Sequence, residues 1–208
     1  MFTNNSVSPR ARRRDSTRQK ILDTARKILI SQGLVGLSMR TLARQIDYSP
    51  SAIYKYFASK EEILNAIREE FWELMAGLEA SRNINSLAPP QRLYEAGKAY
   101  LDTAEAYPEH YLLVFNSPDA LPAGLYGISQ SPAGFAGLVD IIQQGIDDGS
   151  FKLPKGYTPT SMALQAWFIT HGIAMLRLTR MRGQRAEFDV LADQIMRASI
   201  DNITKKEA

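Results

Sequence analysis

Residues 38–57 are the segment that most constrains the fold, because they predict two short helices joined by a three-residue turn. The first helix is predicted by four apolar residues at the i, i+3, i+4 and i+7 spacing of one helix face, namely Met39, Leu42, Ala43 and Ile46. Ser38 precedes them as an N-cap, and Ser49 caps the second helix with Pro50 at its first position, where an N–H is not needed. Strand-like alternation persists nowhere in the chain, so the sequence predicts an all-α fold.

The second short helix has an unusual predicted outer face. Ile53 and Phe57 are expected to face inward, which leaves a polar, aromatic and cationic set free to face outward: Ser51, Tyr54, Lys55 and Tyr56. Such a face is typical of a helix that enters the major groove of DNA. The alternative is an ordinary small all-α domain in which short capped helices have no contact with DNA.

The flanking segments favour the first interpretation. Residues 16–19 and 59–62 have the spacing of capping boxes, so they predict a helix that ends at Gly33 and another that continues to Leu78. Charge is also divided unevenly. Residues 1–58 hold eleven Lys or Arg against three acids (net +8), whereas residues 59–208 hold fourteen against nineteen (net −5). One end of the chain is therefore expected to seek phosphate.

The densest positive charge is a run of four arginines near the N-terminus: Arg10, Arg12, Arg13 and Arg14. Residues 1–14 are expected to form a flexible basic arm that reaches along the DNA backbone or into the minor groove. The alternative is a disordered tail that only improves solubility.

Residues 17–67 resemble the DNA-binding domain of the TetR family of bacterial transcriptional regulators. The resemblance is carried by Ser31-Gln32-Gly33, by residues 37–43, by residues 51–57 and by residues 59–64. It implies a set of DNA contacts at the matching positions: Arg40, Thr41, Ser49, Pro50, Ser51, Tyr54, Lys55, Tyr56 and Lys60. The chain departs from the family at Asp47-Tyr48, where many members have Gly in the turn; Asp tolerates the left-handed backbone that such a turn requires.

The rest of the chain predicts a second helical domain. We expect a DNA-binding domain over 15–62, a connecting helix over 63–82 and a regulatory domain over 83–208. Within the last, one helix opens at Pro89-Pro90 and ends before Pro108, and a short apolar element covers 111–115. Residues 116–132 contain three prolines and two glycines, and we expect either a loop that covers a cavity or plain surface.

The segment 162–178 is apolar on nearly every face, which indicates a helix buried on two sides. A membrane span is not expected, because the segment is short and includes Gln165, Thr170 and His171. The family resemblance implies that this helix and the last helix of the chain form a homodimer. The expected interface consists of Ile169, Ile173, Leu176, Phe188, Leu191, Ile195, Met196 and Ser199. Trp167 and His171-Gly172 also resemble a Trp…His-Gly signature of one subgroup of TetR-like regulatory domains.

A ligand cavity needs a few polar groups among apolar walls. The candidates are Tyr107, Tyr111, Phe115, Trp167, Phe168, His171 and Met175, although core packing explains each of them as well. The two histidines and the absence of cysteine give no metal-binding spacing, so neither a metal nor a cofactor is expected. No catalytic motif is present. A signal peptide is not expected, because the N-terminus is polar and basic without an apolar run behind it, and the absence of cysteine fits the expected cytoplasmic location.

These observations predict a sequence-specific, DNA-binding transcriptional regulator. It is expected to act as a homodimeric repressor on a palindromic operator and to respond to a small, partly hydrophobic effector. The alternative is an architectural or chromosome-organising DNA-binding protein without small-molecule control. An enzyme with an incidental basic arm would need a catalytic set that the sequence does not offer.

Overall fold

The computed structural model describes residues 8–116, 134–181, 183 and 185–204. Within these ranges every regular element is a helix, and the β pairing is a single isolated bridge between Phe151 and Thr204. The all-α prediction is therefore confirmed. The chain divides into two compact units, one ending at Glu69 and one beginning at Glu70.

The first unit is built from three helices and the beginning of a fourth: α1 Pro9–Gly36, α2 Met39–Gln45, α3 Pro50–Ile53 and α4 Lys60–Ser81. Its core consists of apolar side chains that are almost completely buried, among them Ile21, Leu22 and Ile28 of α1, Leu42 of α2, and Ile53, Phe57 and Ile63. Because α3 is so short, it depends on this burial for its stability.

The first helix begins earlier than the sequence predicted. Its N-cap is Ser8, whose Oγ accepts a hydrogen bond from the Ala11 N–H at 3.2 Å, and Pro9 occupies the first turn. Residues 9–14 are therefore helical, and the expectation of a flexible arm over 1–14 is wrong for them; residues 1–7 lie outside the described ranges. The predicted stop at Gly33 coincides with a kink, where φ is 66° and ψ is −168°, a conformation that glycine adopts readily.

The second unit contains the rest of α4, a 3₁₀ turn at Ile84–Ser86, and five further helices: α5 Pro89–Ala106, α6 Pro108–Asn116, α7 Phe135–Asp147, α8 Pro159–Thr179 and α9 Arg185–Asp201. The central helix is α5, which packs against α6, α7, α8 and α9. The predicted break at Pro108 separates α5 from α6. Helix α7 was not predicted from the sequence, and most of the predicted 116–132 loop lies outside the described residues.

Candidate nucleic-acid interface and ligand cavity

The turn between α2 and α3 is fixed by capping at both helix starts. Ser38 Oγ accepts a hydrogen bond from the Thr41 N–H at 3.0 Å, and Ser49 Oγ accepts one from the Ala52 N–H at 3.2 Å. Between them Asp47 has a φ of 59°, the left-handed conformation that the sequence required at this point. The departure from glycine at this position is therefore accommodated.

The second short helix is shorter than predicted, since α3 ends at Ile53 and residues 54–56 form turns. The Phe57 N–H still donates to the Ile53 carbonyl oxygen at 3.1 Å, which keeps both side chains in the core. Ser51, Tyr54 and Lys55 are exposed on the opposite side, with 53% of Tyr54 accessible, and Tyr56 is half-buried. The polar outer face is thus present without a long recognition helix.

The other residues predicted to contact DNA differ in whether their side chains are exposed or are hydrogen-bonded within the protein. Arg40 and Pro50 are exposed. The Thr41 hydroxyl lies 2.8 Å from the Ser38 hydroxyl and belongs to the α2 cap. Lys60 Nζ donates to the Leu34 carbonyl oxygen at 2.7 Å, so part of its hydrogen-bonding capacity holds the fold.

Sequence reasoning missed Arg44, which is exposed in the last turn of α2. It stands four residues after Arg40, a spacing that places two side chains on the same helix face and could have revealed it. The four arginines of the expected arm are also exposed, but on the first turns of α1 rather than on a free strand of chain.

The second unit contains a partly open cavity of about 250 Å³. Its walls come from α4, the 3₁₀ turn, α5, α7, α8 and α9, and they are mainly apolar, with Trp72, Met75, Ile84, Leu93, Phe135, Leu138, Ile141, Trp167 and Ile200 among the lining side chains. Of the seven candidate ligand residues, only Trp167 lines this cavity. Three residues expected at the dimer interface line it instead: Ile169, Met196 and Ser199.

Three other candidates form an aromatic cluster together with Tyr100, which lines the cavity. Tyr111 is fully buried, and its hydroxyl lies 2.7 Å from His171 Nδ1, while the Tyr100 hydroxyl lies 3.1 Å from the same nitrogen. The Phe115 ring packs against both Tyr111 and His171, with centroids 4.8 Å apart in each case. Burial lowers the pKa of His171 and raises the pKa values of both tyrosines, so the cluster is neutral near pH 7.

The last three candidates do not lie at the cavity. Met175 packs against the hydrophobic core of the unit. Tyr107 is 37% exposed, and its ring lies edge-on to His110. Phe168 is 61% exposed, so its assignment to a ligand pocket is wrong: it follows Trp167 on α8 but points away from the core.

Phe168 instead belongs to an apolar surface on the last two helices. The exposed residues that define this α8–α9 face are Phe168, Leu176, Val190, Leu191 and Ile195, with accessible fractions of 41–61%. Two residues predicted for a dimer interface are absent from it, because Ile173 and Met196 are 6% and 4% exposed and lie in the core of their own chain. Phe188 is half-buried against the same core.

Two charged side chains also line the cavity. Burial raises the pKa of Glu79 to about 7, and the nearby positive charge of Arg92 opposes this rise. Arg92 Nη1 donates to Gln144 Oε1 at 2.9 Å, whereas Arg92 Nε is buried and has no hydrogen-bond partner. The mainly apolar cavity therefore has an ionisable end, which is defined by Glu79 and Arg92.

Across the part of the chain that the structure describes, His, Asp and Glu side chains form no group of three that could hold a metal ion. In the same residues no helix is long and apolar enough to cross a membrane.

Comparison with known proteins gives concordant results. Residues 21–67 match the family model "Bacterial regulatory proteins, tetR family". The chain is 26% identical over 161 residues to the "HTH-type transcriptional regulator Rv1816" of Mycobacterium tuberculosis, covering 73% of this chain and 68% of that protein. It is 27% identical over 149 residues to the "HTH-type transcriptional repressor NicS" of Pseudomonas putida, covering 69% of each. A solved structure of a protein of unknown function from Rhodococcus sp. RHA1 shares the fold, with a TM-score of 0.74, 24% identity and coverage of 98% and 100% of the two chains.

Proposed function

The chain belongs to the tetR family of bacterial regulatory proteins and is a DNA-binding transcriptional regulator, and from this premise we propose that it is a homodimeric repressor released by a small, partly hydrophobic effector. The observation that carries the proposal is the combination of two features in separate units. The first unit has an exposed polar and cationic surface around α2 and α3, whose apolar side chains are buried in its core. The second unit contains a mainly apolar cavity.

The proposed DNA contacts are the exposed groups around α2 and α3. Ser51, Tyr54 and Lys55 present donors and acceptors suited to base edges and phosphates, and Arg40 and Arg44 add two cations on one face of α2. Ser49, Pro50 and Tyr56 complete the rim of this surface. Thr41 and Lys60 act mainly through the positions of the helices, since their side chains bond within the fold.

The basic end of α1 extends the proposed surface. Arg10, Arg12, Arg13 and Arg14 are all exposed on consecutive helical turns, so they present charge in more than one direction. Their contribution is attraction to phosphate, which is independent of sequence and decreases with added salt.

The α8–α9 face supports the proposed homodimer. Five large apolar side chains are exposed on two helices that pack against each other, and two copies of such a two-helix surface would form a four-helix interface. A two-fold dimer matches a palindromic operator whose half-sites are about 34–36 Å apart, or a multiple of that distance.

An effector in the cavity is proposed to change operator affinity through its preference for one of two conformations. Five cavity-lining residues, Trp72, Met75, Ala76, Glu79 and Ala80, lie on α4, the helix whose first turns belong to the DNA-binding unit. Because α4 is one continuous helix, a ligand-induced shift of its cavity-lining part would also move its first turns in the DNA-binding unit.

The proposal is tested first by selecting genomic DNA fragments with the purified protein and then measuring the affinity of the selected site. Tyr54→Ala and Lys55→Ala are each expected to weaken binding by roughly 10-fold or more while the oligomeric state is retained. Lys152→Ala, at an exposed position of the second unit, is the matched control and should bind as the parent does.

Selection of a short palindrome supports the repressor. Fragments without a common sequence would support the architectural alternative, and unchanged affinity in both variants would overturn the assignment of the DNA-binding face.

A further inference from the structure

We propose that the effector is an amphiphilic anion: a small apolar body with one carboxylate, which binds the guanidinium of Arg92 at the ionisable end of the cavity. This inference rests on the proposed function only in taking the cavity as the effector site, and it adds the chemical class of the molecule. Four features of the cavity support it.

The size of the cavity sets the size of the ligand. A cavity of about 150 Å³ accommodates benzene, and pockets for drug-sized ligands begin at about 300 Å³. At about 250 Å³ this cavity fits a molecule with one ring or a medium aliphatic chain. The walls contributed by α7, through Phe135, Leu138 and Ile141, are suited to such an apolar body.

Three of the uncharged polar groups that line the cavity already have hydrogen-bond partners within the protein. The Thr170 hydroxyl donates to the Ala166 carbonyl oxygen at 3.0 Å, and the Ser199 hydroxyl donates to the Met196 carbonyl oxygen at 2.7 Å. The Tyr100 hydroxyl lies within hydrogen-bond distance of His171. A ligand would gain little from these groups.

Arg92, in contrast, has one hydrogen-bond donor, Nε–H, that is free to bind a ligand. Gln144 holds one end of the guanidinium, and the buried Nε–H has no partner among the described residues. A buried donor without a partner costs free energy that a ligand acceptor would recover, and a carboxylate is the acceptor that best matches a guanidinium. Arg92 and Tyr100 lie eight residues apart on α5, so the ionic and aromatic ends are separated by about 12 Å along the helix.

The protonation state of Glu79 determines the net charge of the cavity, and therefore which charge on a ligand is favoured. The Arg92 guanidinium carries a positive charge, whereas burial raises the pKa of Glu79 to about 7, so a proton on Glu79 leaves the cavity with a net positive charge. The ionisable side chains in the described cavity wall are Glu79 on α4 and Arg92 and Tyr100 on α5; the groups facing them from α7, α8 and α9 do not ionise, and Asn85 of the 3₁₀ turn is neutral. Binding of a carboxylate should therefore become tighter as pH falls through about 7.

The test compares the affinities of six probes for the full-length protein, measured by titration calorimetry. Each of two apolar groups, one aliphatic and one aromatic, is used in three forms that differ only in the head group. The probes are octanoate and 4-phenylbutyrate, with the amide and the amine of each. The carboxylates are expected to bind roughly 10- to 100-fold more tightly than the amides, and the amines most weakly.

Substitutions at Arg92 and Glu79 test which side chain causes the preference for carboxylates. Arg92→Met should reduce carboxylate affinity to that of the amide without changing amide affinity, and Arg92→Lys, which keeps the charge but lacks the Nε–H, should lie between them. Glu79→Gln should keep the preference and remove its dependence on pH between about 6 and about 8, a range in which the probe carboxylates stay ionised. Arg180→Met, at an exposed position of the same unit, is the control and should behave as the parent does.

Equal affinity for acid and amide, tighter binding of the amines, or no binding of any probe would overturn the proposal, as would a carboxylate preference that survives in Arg92→Met. Release of DNA is measured separately. If the carboxylates bind as expected but leave operator affinity unchanged, the ligand class stands and the regulatory role of the cavity is wrong.

Discussion

At the scale of single residues, the environment rather than the residue type determines what a side chain does. Glu79 and Glu73 lie on the same helix, yet only Glu79 lines the cavity, where burial raises its pKa to about 7 from an ordinary value of 4.5. Trp167 and Phe168 are neighbours in the chain, yet the first lines the cavity and the second is exposed. The sequence does not distinguish these two residues, because a helix that is apolar on all sides gives no signal for which face points inward.

The raised pKa of Glu79 makes stability depend on pH. Below pH 4.5 both folded and unfolded states hold the proton, but between 4.5 and about 7 only the folded state does, so stability falls as pH rises through this window. Glu79→Gln should therefore raise the free energy of unfolding at pH 8 by about 1–2 kcal/mol, after allowance for partial exposure, and change it little at pH 4.5. Urea unfolding at both pH values measures this.

Glu73→Gln is the reference for removing an exposed carboxylate from the same helix. A Glu79→Gln protein that is less stable than the parent at pH 8 would contradict the assigned burial.

At the scale of elements, the sequence specified local structure well wherever a chemical signal marks a boundary. Ser38, Ser49-Pro50, Gly33 and Pro108 all mark helix ends or breaks in the structure. The start of α1 was misplaced because a capping-box pattern at 16–19 also fits the interior of a helix. The missed α7 carries apolar residues at helical spacing, Phe135, Leu138, Ile142 and Ile146, so its signal was present in the sequence. The cavity was not predictable in this way, because its walls come from elements far apart in the chain and meet only through packing.

The positive φ of Asp47 gives a prediction for the turn between α2 and α3. Asp tolerates φ of 59° through local hydrogen bonding, Gly adopts it freely, and a β-branched residue does so at a cost of about 1–2 kcal/mol. Asp47→Val should therefore lower the free energy of unfolding by about that amount, whereas Asp47→Gly should keep stability near that of the parent. Thermal unfolding of the two variants gives the comparison.

Asp15→Val, at an exposed helical position of α1, controls for loss of an acid and for β-branching. Equal stability of Asp47→Val and Asp47→Gly would mean that the turn does not hold this conformation in solution.

At the scale of the whole molecule, the proposed dimerisation through the exposed α8–α9 face would make DNA binding depend on assembly. Its apolar residues do not serve the core of their own chain, so removing their hydrophobicity should leave the fold intact. The proposed dimer presents two DNA-binding faces to two half-sites, and a monomer presents one, with far lower affinity at the same concentration.

Ile195→Glu should therefore yield a folded monomer with operator affinity reduced by roughly 100-fold or more. Light scattering measures the molecular mass of the protein, and circular dichroism measures its helix content. Fluorescence anisotropy of labelled operator DNA measures the affinity for the operator. Asp201→Lys, an exposed charge change on the same helix, should remain a dimer. A dimeric Ile195→Glu protein with full helix content would place the interface elsewhere.

The position of the tryptophans has a practical consequence. The chain contains two, Trp72 and Trp167, and both line the cavity, while the DNA-binding unit contains none. Selective excitation of indole near its red absorption edge therefore illuminates only the cavity walls. The emission wavelength of the unlabelled protein should respond when a ligand binds beside these rings, so occupancy of the cavity can be followed while the same sample binds or releases DNA.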